Sequence, residues 1–272
     1  MRLPDTRILM TGATGGIGRV TALNLLNQGA SVLLVGRSDP SLERLAAEYR
    51  ALGVPASRVK WVAADITRPT DRARLVAEAE RLDCNVVLHG AGLPAFGRLQ
   101  DGTPEDLAAV VQTNLVAPMA LTQVLLPRLL TLPAARIVFV GSVLGSIGLP
   151  GFSVYGAGKF GLHGFAQALR RELAGGPVKV QYIGPRTTDT GFNGHGVQAY
   201  NRATGTAQDT PEQVARAIAR LIEDGCAERL LGFPEKLAAR LNGLVPTWLD
   251  GGFRRHRQAL ETPAAELTAA RT

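Results

Sequence analysis

Three side chains in the middle of the chain are of types that can move a proton. Tyr155 and Lys159 are four residues apart, so in a helix over 153–173 they share one face. A lysine ammonium stabilises a tyrosinate and lowers the phenol pKa from about 10, which makes Tyr155 a usable acid or base near neutral pH. Ser142 ends an apolar run thirteen residues earlier. Because a Tyr-x-x-x-Lys pair alone is common on helix surfaces, its meaning depends on the surrounding elements.

A glycine-rich segment near the N-terminus has the composition of a nucleotide-binding turn. Residues 11–18 read TGATGGIG, after a short apolar run and before a segment of helical spacing. Gly12 permits a tight turn, and Gly16 lets backbone N–H groups approach a pyrophosphate. Gly18 allows close packing of helix on strand, and the helix N-terminus then faces the negative charge. Any tight turn could use glycines, but this position between strand and helix favours nucleotide binding.

The end of the second apolar run indicates which dinucleotide fits. In dinucleotide-binding sheets an acid at this place bonds a free ribose 2′-hydroxyl, and a basic residue pairs with a 2′-phosphate. The sequence has Gly36-Arg37-Ser38 here, with an arginine and no acid. Arg37 could pair with phosphate through two N–H groups, and Ser38 could add a hydroxyl. The pattern favours NADP over NAD, with a solvated loop arginine as the alternative.

The rest of the chain alternates apolar runs with polar turns or helical segments. The apolar runs cover 7–10, 31–35, 59–64, 86–89, 136–141 and 178–183. Runs that are apolar throughout are typical of strands buried on both faces of a parallel sheet. Helices between such strands imply right-handed crossovers, so we predict an α/β fold with a doubly wound parallel sheet of about seven strands and helices on both faces.

Turn chemistry marks two helix starts and leaves the chain undivided. Thr103 and Thr210 can each cap a helix, and each is followed by a proline at the first helical position. We find no repeat, low-complexity segment or linker. The prediction is one dinucleotide-binding and catalytic domain, 1–232, with a C-terminal extension, 233–272.

Taken together, these motifs resemble those of the short-chain dehydrogenase/reductase family. The matching parts stand in the expected order over residues 7–232: the glycine run 11–18, Asp65, His89-Gly-Ala-Gly92, Asn114, Ser142 and Tyr155-Gly-Ala-Gly-Lys159. The resemblance implies a single-domain Rossmann fold. It also implies an NADP-dependent oxidoreductase that interconverts a carbonyl and an alcohol by hydride transfer. A homodimer or homotetramer would follow by the same analogy.

The resemblance implies a role for each matched residue. Tyr155 would exchange the proton of the substrate oxygen, and Lys159 would hold the nicotinamide ribose. Ser142 would bond the substrate oxygen. Asn114 would bend its helix and hold a water in a proton relay, unless it only bends the helix. The predicted catalytic residues are therefore Asn114, Ser142, Tyr155 and Lys159.

The same resemblance supplies a set of residues expected around the cofactor. They are Gly12, Thr14, Gly15, Gly16, Ile17, Gly18, Arg37, Ser38, Asp65, Ile66, Gly90, Ala91, Tyr155, Lys159, Pro185 and Thr190. Asp65 and Ile66 would meet the adenine, although Asp65 could instead be a turn residue at a strand end. Gly90 and Ala91 would line the adenosine side, and Thr190 would contact the nicotinamide carboxamide. No metal site is predicted.

Some positions depart from the family pattern. His89 stands where asparagine is usual, and we expect a structural histidine there. Pro185 is followed by Arg186 in place of glycine, which puts the local backbone in doubt and could bring a cation to an anionic substrate or cofactor group. Gly158 replaces the serine that often precedes the lysine. None of these changes removes a group that the chemistry needs.

Two segments interrupt the alternation of strands and helices. Residues 187–208 are rich in Gly, Thr and Asn, too long for an ordinary connection, and are expected to form a mobile lid. The tail 235–260 mixes apolar and basic residues, with Pro246 breaking any single helix. Such a mixture suits an interfacial membrane segment, and the alternative is a segment that covers the substrate pocket or contacts a subunit.

The sequence indicates the class of substrate less clearly than it indicates the cofactor. An apolar pocket could form from Leu144, Ile147, Leu149, Phe152 and Phe192, although the same residues could be ordinary core. A hydrophobic carbonyl or alcohol is the expected substrate. A catalytically silent NADP-binding sensor or scaffold is the alternative function, but it need not keep the four catalytic residues together.

Composition narrows the class of protein. At 272 residues and 46% hydrophobic content the chain can bury a large core without disulfides, so Cys84 and Cys226 are expected as free thiols in a reducing cytoplasm. We see no signal pattern and no run of about 18 apolar residues. The net charge of +7 suggests an anionic ligand, an acidic partner or a membrane surface, unless the surface is simply basic. No nucleic-acid-binding motif accompanies it.

Overall fold

The computed structural model describes residues 1–261, and residues 262–272, the end of the predicted extension, lie outside the described part. Seven strands form one sheet, all paired in parallel, in the order β3-β2-β1-β4-β5-β6-β7. The strands are β1 (Arg7–Thr11), β2 (Ser31–Gly36), β3 (Val59–Ala63), β4 (Val86–His89), β5 (Ala135–Val140), β6 (Val178–Gly184) and β7 (Glu228–Leu230). This is the predicted doubly wound sheet.

Ten α-helices are described between and after the strands. They are α1 (Gly16–Asn27), α2 (Asp39–Ala51), α3 (Pro69–Arg81), α4 (Pro104–Val111), α5 (Ala117–Leu130), α6 (Ser153–Glu172), α7 (His195–Thr204), α8 (Pro211–Asp224), α9 (Glu235–Leu244) and α10 (Arg254–Glu261). A π-helical turn, Gln112–Val116, joins α4 to α5. Thr103 caps α4, and Thr210 with Gln213 forms the expected capping box of α8.

The strands bury side chains on both faces, which explains why their runs are apolar throughout. In β1, Ile8 and Met10 face a core packed by α1, α2 and α8, whereas Leu9 faces a core packed by α3, α5 and α6. Successive side chains of a strand point to opposite faces, so a doubly covered strand needs an apolar residue at every position.

The strand order places a crevice between β1 and β4. From β1 the chain winds outward to β2 and β3, and then it crosses back to β4 on the other side of β1. Ligands bind at such a switch point, beyond the carboxyl ends of the strands. Thr11, the last residue of β1, closes the gap, because its Oγ1 accepts hydrogen bonds from the N–H groups of Gly90 (3.1 Å) and Ala91 (3.3 Å).

One long apolar helix packs against this core with part of its surface. The continuous helix Pro104–Leu130 would be long and apolar enough to cross a bilayer by length and composition. However, Leu121, Leu125 and Leu129 of this helix are buried in the core on the α3, α5 and α6 face of the sheet. Packing against the sheet therefore accounts for much of its apolar content. The two cysteines are free thiols, as expected.

Candidate active site

A cavity of about 960 Å³ runs along the carboxyl ends of the strands. At one end it is lined by the glycine-rich turn, and in the middle by Ser142, Tyr155 and Lys159. Aromatic side chains of four separate segments line it as well. Of the predicted cofactor-binding residues all but Ser38 line this cavity: Gly12, Thr14, Gly15, Gly16, Ile17, Gly18, Arg37, Asp65, Ile66, Gly90, Ala91, Tyr155, Lys159, Pro185 and Thr190.

The glycine-rich turn leaves an open cradle at the start of α1. Gly12 has a φ of +70°, and a Cβ at this residue would overlap the Gly90 backbone. A Cβ at Gly18 would overlap the Gly12 carbonyl oxygen. Only glycine fits both places, so the strand, the turn and the helix pack in direct backbone contact. The geometry fits a pyrophosphate held at a helix N-terminus.

Arg37 and Ser38 follow β2 but have different surroundings. Arg37 is exposed, lines the cavity and forms no ion pair within residues 1–261. Ser38 caps α2 instead: its Oγ accepts from Ser41 N–H at 3.4 Å and lies 2.9 Å from Ser41 Oγ. Asp65 also lines the cavity, and its carboxylate accepts from Thr67, which holds its pKa below the usual value.

Tyr155, Lys159 and Ser142 meet in the middle of the cavity. The Lys159 Nζ lies 5.6 Å from the centroid of the Tyr155 ring and donates to Val140 O at 3.0 Å. Ser142 lies at the end of β5, and its Oγ accepts from Leu144 N–H at 3.1 Å. The three side chains therefore share one wall, and Tyr155 and Lys159 lie on one face of α6 as their spacing predicts.

Burial controls the ionisation of this group. It raises the pKa of Tyr155 to about 12, although the Ser142 hydroxyl acts in the opposite direction. It lowers the pKa of Lys159 to about 8. The net shift of the phenol is opposite to the lowering that we expected from Lys159, because desolvation disfavours the tyrosinate. At neutral pH the site consequently holds a protonated phenol beside a cation.

Asn114 lies fully buried behind this wall, in the π-helical turn between α4 and α5. Its Oδ1 accepts from Leu93 N–H at 2.7 Å and its Nδ2 donates to Leu93 O at 2.8 Å, so it fixes the loop that follows β4. A Cβ on Gly92 would lie 3.2 Å from Asn114 Oδ1 and 4.0 Å from Lys159 Nζ. Gly92 therefore lies between the Asn114 amide and the Lys159 ammonium. The π-helical turn interrupts the α-helix at Asn114, where a bend was predicted.

His89 has the surroundings of a structural residue. It is buried at the end of β4, where its ring stacks on Phe139 with centroids 4.9 Å apart. Its Nε2 lies 2.9 Å from Thr122 Oγ1. Burial lowers the pKa of His89 to about 3, so the ring is neutral. It forms part of the core and not of the cavity wall.

Tyr182, which sequence reasoning missed, fixes the backbone of Ser142. This tyrosine of β6 accepts from Ser142 N–H at 3.1 Å and donates to Ser142 O at 2.9 Å. Its ring fits because Gly141 and Gly145 have no side chain, and a Cβ at either residue would overlap the tyrosine. The His163 ring stacks on it, with centroids 4.2 Å apart. No motif signals this contact, since the residues lie on different strands.

Replacing Tyr182 by phenylalanine is expected to lower the free energy of unfolding by about 1–3 kcal/mol, because a buried Ser142 N–H loses its acceptor. Urea unfolding followed by circular dichroism measures this difference. Tyr155→Phe serves as the matched control, because its hydroxyl bonds no backbone group within residues 1–261. Equal stability of the two variants would show that the Tyr182 hydroxyl does not hold the Ser142 backbone.

The predicted lid, 187–208, contains a helix and contacts both the catalytic wall and the glycine-rich turn. Phe192 packs edge-on against Tyr155, with ring centroids 6.3 Å apart. Thr190 packs against Gly16, where a Cβ would lie 2.5 Å from Thr190 Cβ. The helix, α7, was not predicted, because its sequence has few apolar residues among Gly, Asn and Thr.

Arg186 joins the lid to the C-terminal segment. Its guanidinium Nη2 lies 2.7 Å from Asp209 Oδ1, and its Nη1 lies 3.6 Å from Glu235 Oε2. Asp209 follows the lid, and Glu235 begins α9. The arginine that replaces the family's glycine is therefore paired with two acids of this chain, and it also lines the cavity.

An aromatic cluster, Phe96, Phe152, Tyr200, Phe253 and His256, lines the cavity. Its members come from the loop after β4, the start of α6, the lid and the C-terminal segment. The Tyr200 hydroxyl lies 2.7 Å from His256 Nδ1, which joins lid to tail. All five residues proposed for an apolar pocket line the cavity too, namely Leu144, Ile147, Leu149, Phe152 and Phe192. The sequence offered no signal for Phe96, Tyr200 or His256.

The C-terminal segment covers part of this cavity. Ala238 of α9 lines it, together with the cluster residues Phe253 and His256. Pro246 ends the helical run, because the chain continues after α9 as a 3₁₀ segment, Pro246–Phe253. These contacts agree with the covering alternative for the tail. The division of the chain at residue 232 stays a prediction.

Comparisons with known proteins agree with this geometry. The family model described as short chain dehydrogenase matches residues 6–201. An uncharacterized oxidoreductase of Bacillus subtilis, YxnA, is 31% identical over 97% of this chain and 76% of its own length.

Solved structures share the fold. A short chain dehydrogenase/reductase from Burkholderia phymatum in complex with NAD is 22% identical, with a TM-score of 0.81 over 91% of this chain and 96% of that one. The closed form of serine dehydrogenase complexed with NADP+ is 25% identical, with a TM-score of 0.74 over 83% and 94% of the two chains. Both kinds of nicotinamide cofactor therefore occur among proteins with this architecture.

Proposed function

Because the chain belongs to the short-chain dehydrogenase/reductase family, an oxidoreductase family that binds NAD or NADP, we propose that it is an NADP-dependent enzyme. It would interconvert a carbonyl and an alcohol on a hydrophobic substrate. The observation that carries this proposal is the shared wall of Ser142, Tyr155 and Lys159 at the cavity between the glycine cradle and the aromatic cluster.

In the proposed reaction the protein moves a proton while the nicotinamide supplies or accepts the hydride. In reduction, Tyr155 Oη gives its proton to the substrate oxygen, and Ser142 Oγ donates a hydrogen bond to that oxygen. Burial supports this direction, because a phenol with a pKa of about 12 is fully protonated at neutral pH. The Lys159 ammonium stabilises the tyrosinate left behind and holds the ribose hydroxyls. Asn114 would hold a water in the path that returns the proton.

Lys159 predicts a pH dependence. Its pKa of about 8 means that the ammonium is present below pH 8 and lost above it. We expect kcat/KM for reduction to be level below about pH 8 and to fall at higher pH, as the tyrosinate loses its stabilising charge. Initial rates of NADPH oxidation across pH 6–10 measure this profile, about two pH units on either side of the Lys159 titration. A profile that stays level through pH 9 would exclude Lys159 as the charge required.

The cofactor proposal rests on Arg37. It is exposed beside the cavity after β2, and no acid within residues 1–261 pairs with it. An unpaired guanidinium at this place suits a 2′-phosphate, and Asp65 and Ile66, which line the same cavity, would meet the adenine. Ser38 is engaged as the α2 cap, so we assign the phosphate to Arg37 first.

The apolar part of the cavity supports a hydrophobic substrate. The lid's Phe192 shields Tyr155, and the aromatic cluster supplies several ring surfaces nearby. Polar groups among these residues, such as the Tyr200 hydroxyl and His256 Nδ1, are already bonded to each other. A substrate with an extended apolar body next to its carbonyl would therefore bury it at little cost.

Of the further parts of the proposal, the oligomeric state comes from the family analogy and the site of action from the two free cysteines. We propose a homodimer or homotetramer and a cytoplasmic site of action. Exposed apolar side chains on α5 and α6, Met119, Val124 and Phe160, are available for a subunit contact.

The test of the proposed function is a panel of hydrophobic ketones, aldehydes and alcohols, assayed with NADPH, NADH and their oxidised forms. Turnover that prefers NADPH and falls when the apolar body of the substrate is shortened supports the proposal. Binding of NADPH without turnover on the whole panel would favour the sensor alternative. Turnover with NADH alone would overturn the cofactor assignment.

A further inference from the structure

Helix α9 turns its small and polar residues toward the protein. Ala239 is buried, and Ala238 lines the cavity. Glu235 pairs with Arg186, and Asn242 Nδ2 donates to Ser146 O at 3.1 Å. These residues lie within one side of the helix, so this side is the one that packs on the domain.

The large apolar side chains of the same segment point away from the protein. Leu237, Leu241 and Leu244 follow the i, i+4, i+7 spacing of one helical face and are exposed. Phe233 before the helix and Trp248 after it are exposed as well, at 78% and 82%. We call these five side chains the outer apolar face. A helix that packs with leucines outward is inverted relative to the usual surface helix, and such a patch marks a binding surface.

Cations accompany this face. The residues from 236 to 257 contain five cations and one acid, Asp250. The cations are Lys236, Arg240, Arg254, Arg255 and Arg257, all exposed. Lys236 and Arg240 each directly precede a leucine of the outer apolar face, so on the helix they form a row at its border. Apolar side chains beside a row of cations are the chemistry that the surface of an anionic bilayer recognises.

We propose that the outer apolar face docks the protein on an anionic phospholipid bilayer. The leucines and Phe233 enter the boundary between headgroups and acyl chains, Trp248 lies at the headgroup level, and the basic side chains meet the lipid phosphates. Since the opposite side of α9 lines the cavity, the docked helix stands between bilayer and substrate site. The docking itself does not depend on the proposed reaction.

The bilayer is favoured over two other occupants. A second copy would bring the row of Lys236 and Arg240 against the same row of its partner, which opposes pairing across this face. The residues 262–272 read TPAAELTAART, with one leucine, and supply too little apolar side chain to cover five large ones. An anionic lipid surface satisfies the apolar and the basic side chains together.

Vesicle flotation of the full chain tests the proposal. Vesicles of phosphatidylcholine with phosphatidylserine are compared with vesicles of phosphatidylcholine alone, and light scattering reports the number of subunits. We expect flotation with the anionic vesicles, and a loss of at least about tenfold in the partition coefficient for Leu244→Ser combined with Trp248→Ser. Lys236→Gln with Arg240→Gln should reduce the preference for anionic lipid, as should salt.

The matched control is Leu52→Ser combined with Leu99→Ser, which removes two exposed leucines outside the C-terminal segment and should float like the wild type. Circular dichroism and NADPH binding confirm that each variant is folded. Absence of flotation in the wild type overturns the proposal. Equal flotation of the variant that lacks Leu244 and Trp248 and the control that lacks Leu52 and Leu99 overturns it as well. A change in subunit number without flotation would assign the face to a second copy instead. Neither result bears on turnover, so failure here and failure of the proposed function remain distinguishable.

Discussion

Replacing Tyr155 by phenylalanine is expected to lower kcat for carbonyl reduction by about 10²–10⁴-fold. The substitution removes the proton donor and leaves the ring, with its contact to Phe192, in place. Because Lys159 keeps its bond to Val140 O and the glycine cradle is untouched, NADPH should still bind with nearly unchanged affinity. The loss should therefore fall on kcat and not on cofactor binding.

Steady-state rates of NADPH oxidation, together with NADPH fluorescence titration, measure both quantities. Tyr49→Phe is the matched control, since Tyr49 of α2 donates its hydroxyl to Arg19 O of α1 at 2.6 Å and does not line the cavity. That variant should keep its kcat. An active wild type with a fully active Tyr155→Phe variant would contradict the assignment of the proton donor.

Replacing Arg37 by alanine is expected to raise the KM for NADPH by about 10- to 100-fold and to leave the KM for NADH nearly unchanged. A charge-assisted hydrogen bond to phosphate contributes about 1.5–3 kcal/mol, and NADH has no 2′-phosphate to lose it. Arg37→Asp should go further, because its carboxylate repels a 2′-phosphate and can accept from a 2′-hydroxyl.

The ratio of kcat/KM for the two cofactors, measured at one ionic strength, reports this preference. Arg44→Ala is the matched control: Arg44 is an exposed arginine of α2, seven residues further along the chain, and does not line the cavity. It should leave the ratio unchanged. If Arg37→Ala and Arg44→Ala gave the same ratio as the wild type, the 2′-phosphate would have to be held elsewhere.

The lid and the C-terminal segment form one cover over the site. Arg186 pairs with Asp209 at the end of the lid and with Glu235 at the start of α9, and Tyr200 pairs with His256. Ion pairs and a hydrogen bond therefore join the lid to α9 and α10. If α9 lies on a bilayer as proposed, the same contacts would connect the bilayer-bound helix to residues that line the cavity.

Much of the fold follows from local patterns. The runs 7–10, 31–35 and 86–89 became β1, β2 and β4 with bounds within one residue, because strands buried on both faces leave an uninterrupted apolar signal. Helix starts at Thr103 and Thr210 were equally readable, since a cap is a matter of neighbouring residues. Strand β7 has three residues, all half-buried, and no such run marked it.

The sequence also predicted which residues line the cofactor-binding part and the catalytic wall of the candidate site, for a related reason. Parallel strands end at one edge of the sheet, so residues that follow strands converge there whatever the details of packing. For this reason one cavity is lined by five residues that follow strands, namely Gly12, Arg37, Asp65, Gly90 and Ser142.

Contacts between distant segments could be decided only by the tertiary structure. The Tyr182 hydroxyl bonds both backbone groups of Ser142, Arg186 turns to Asp209 and Glu235, and burial moves the pKa of Tyr155 upward. Each depends on which side chains pack together and how much water they exclude, and sequence spacing records neither. The tail shows the same division: its apolar and basic composition is plain in the sequence, but packing alone determines that the small residues of α9 face the cavity and its leucines face outward.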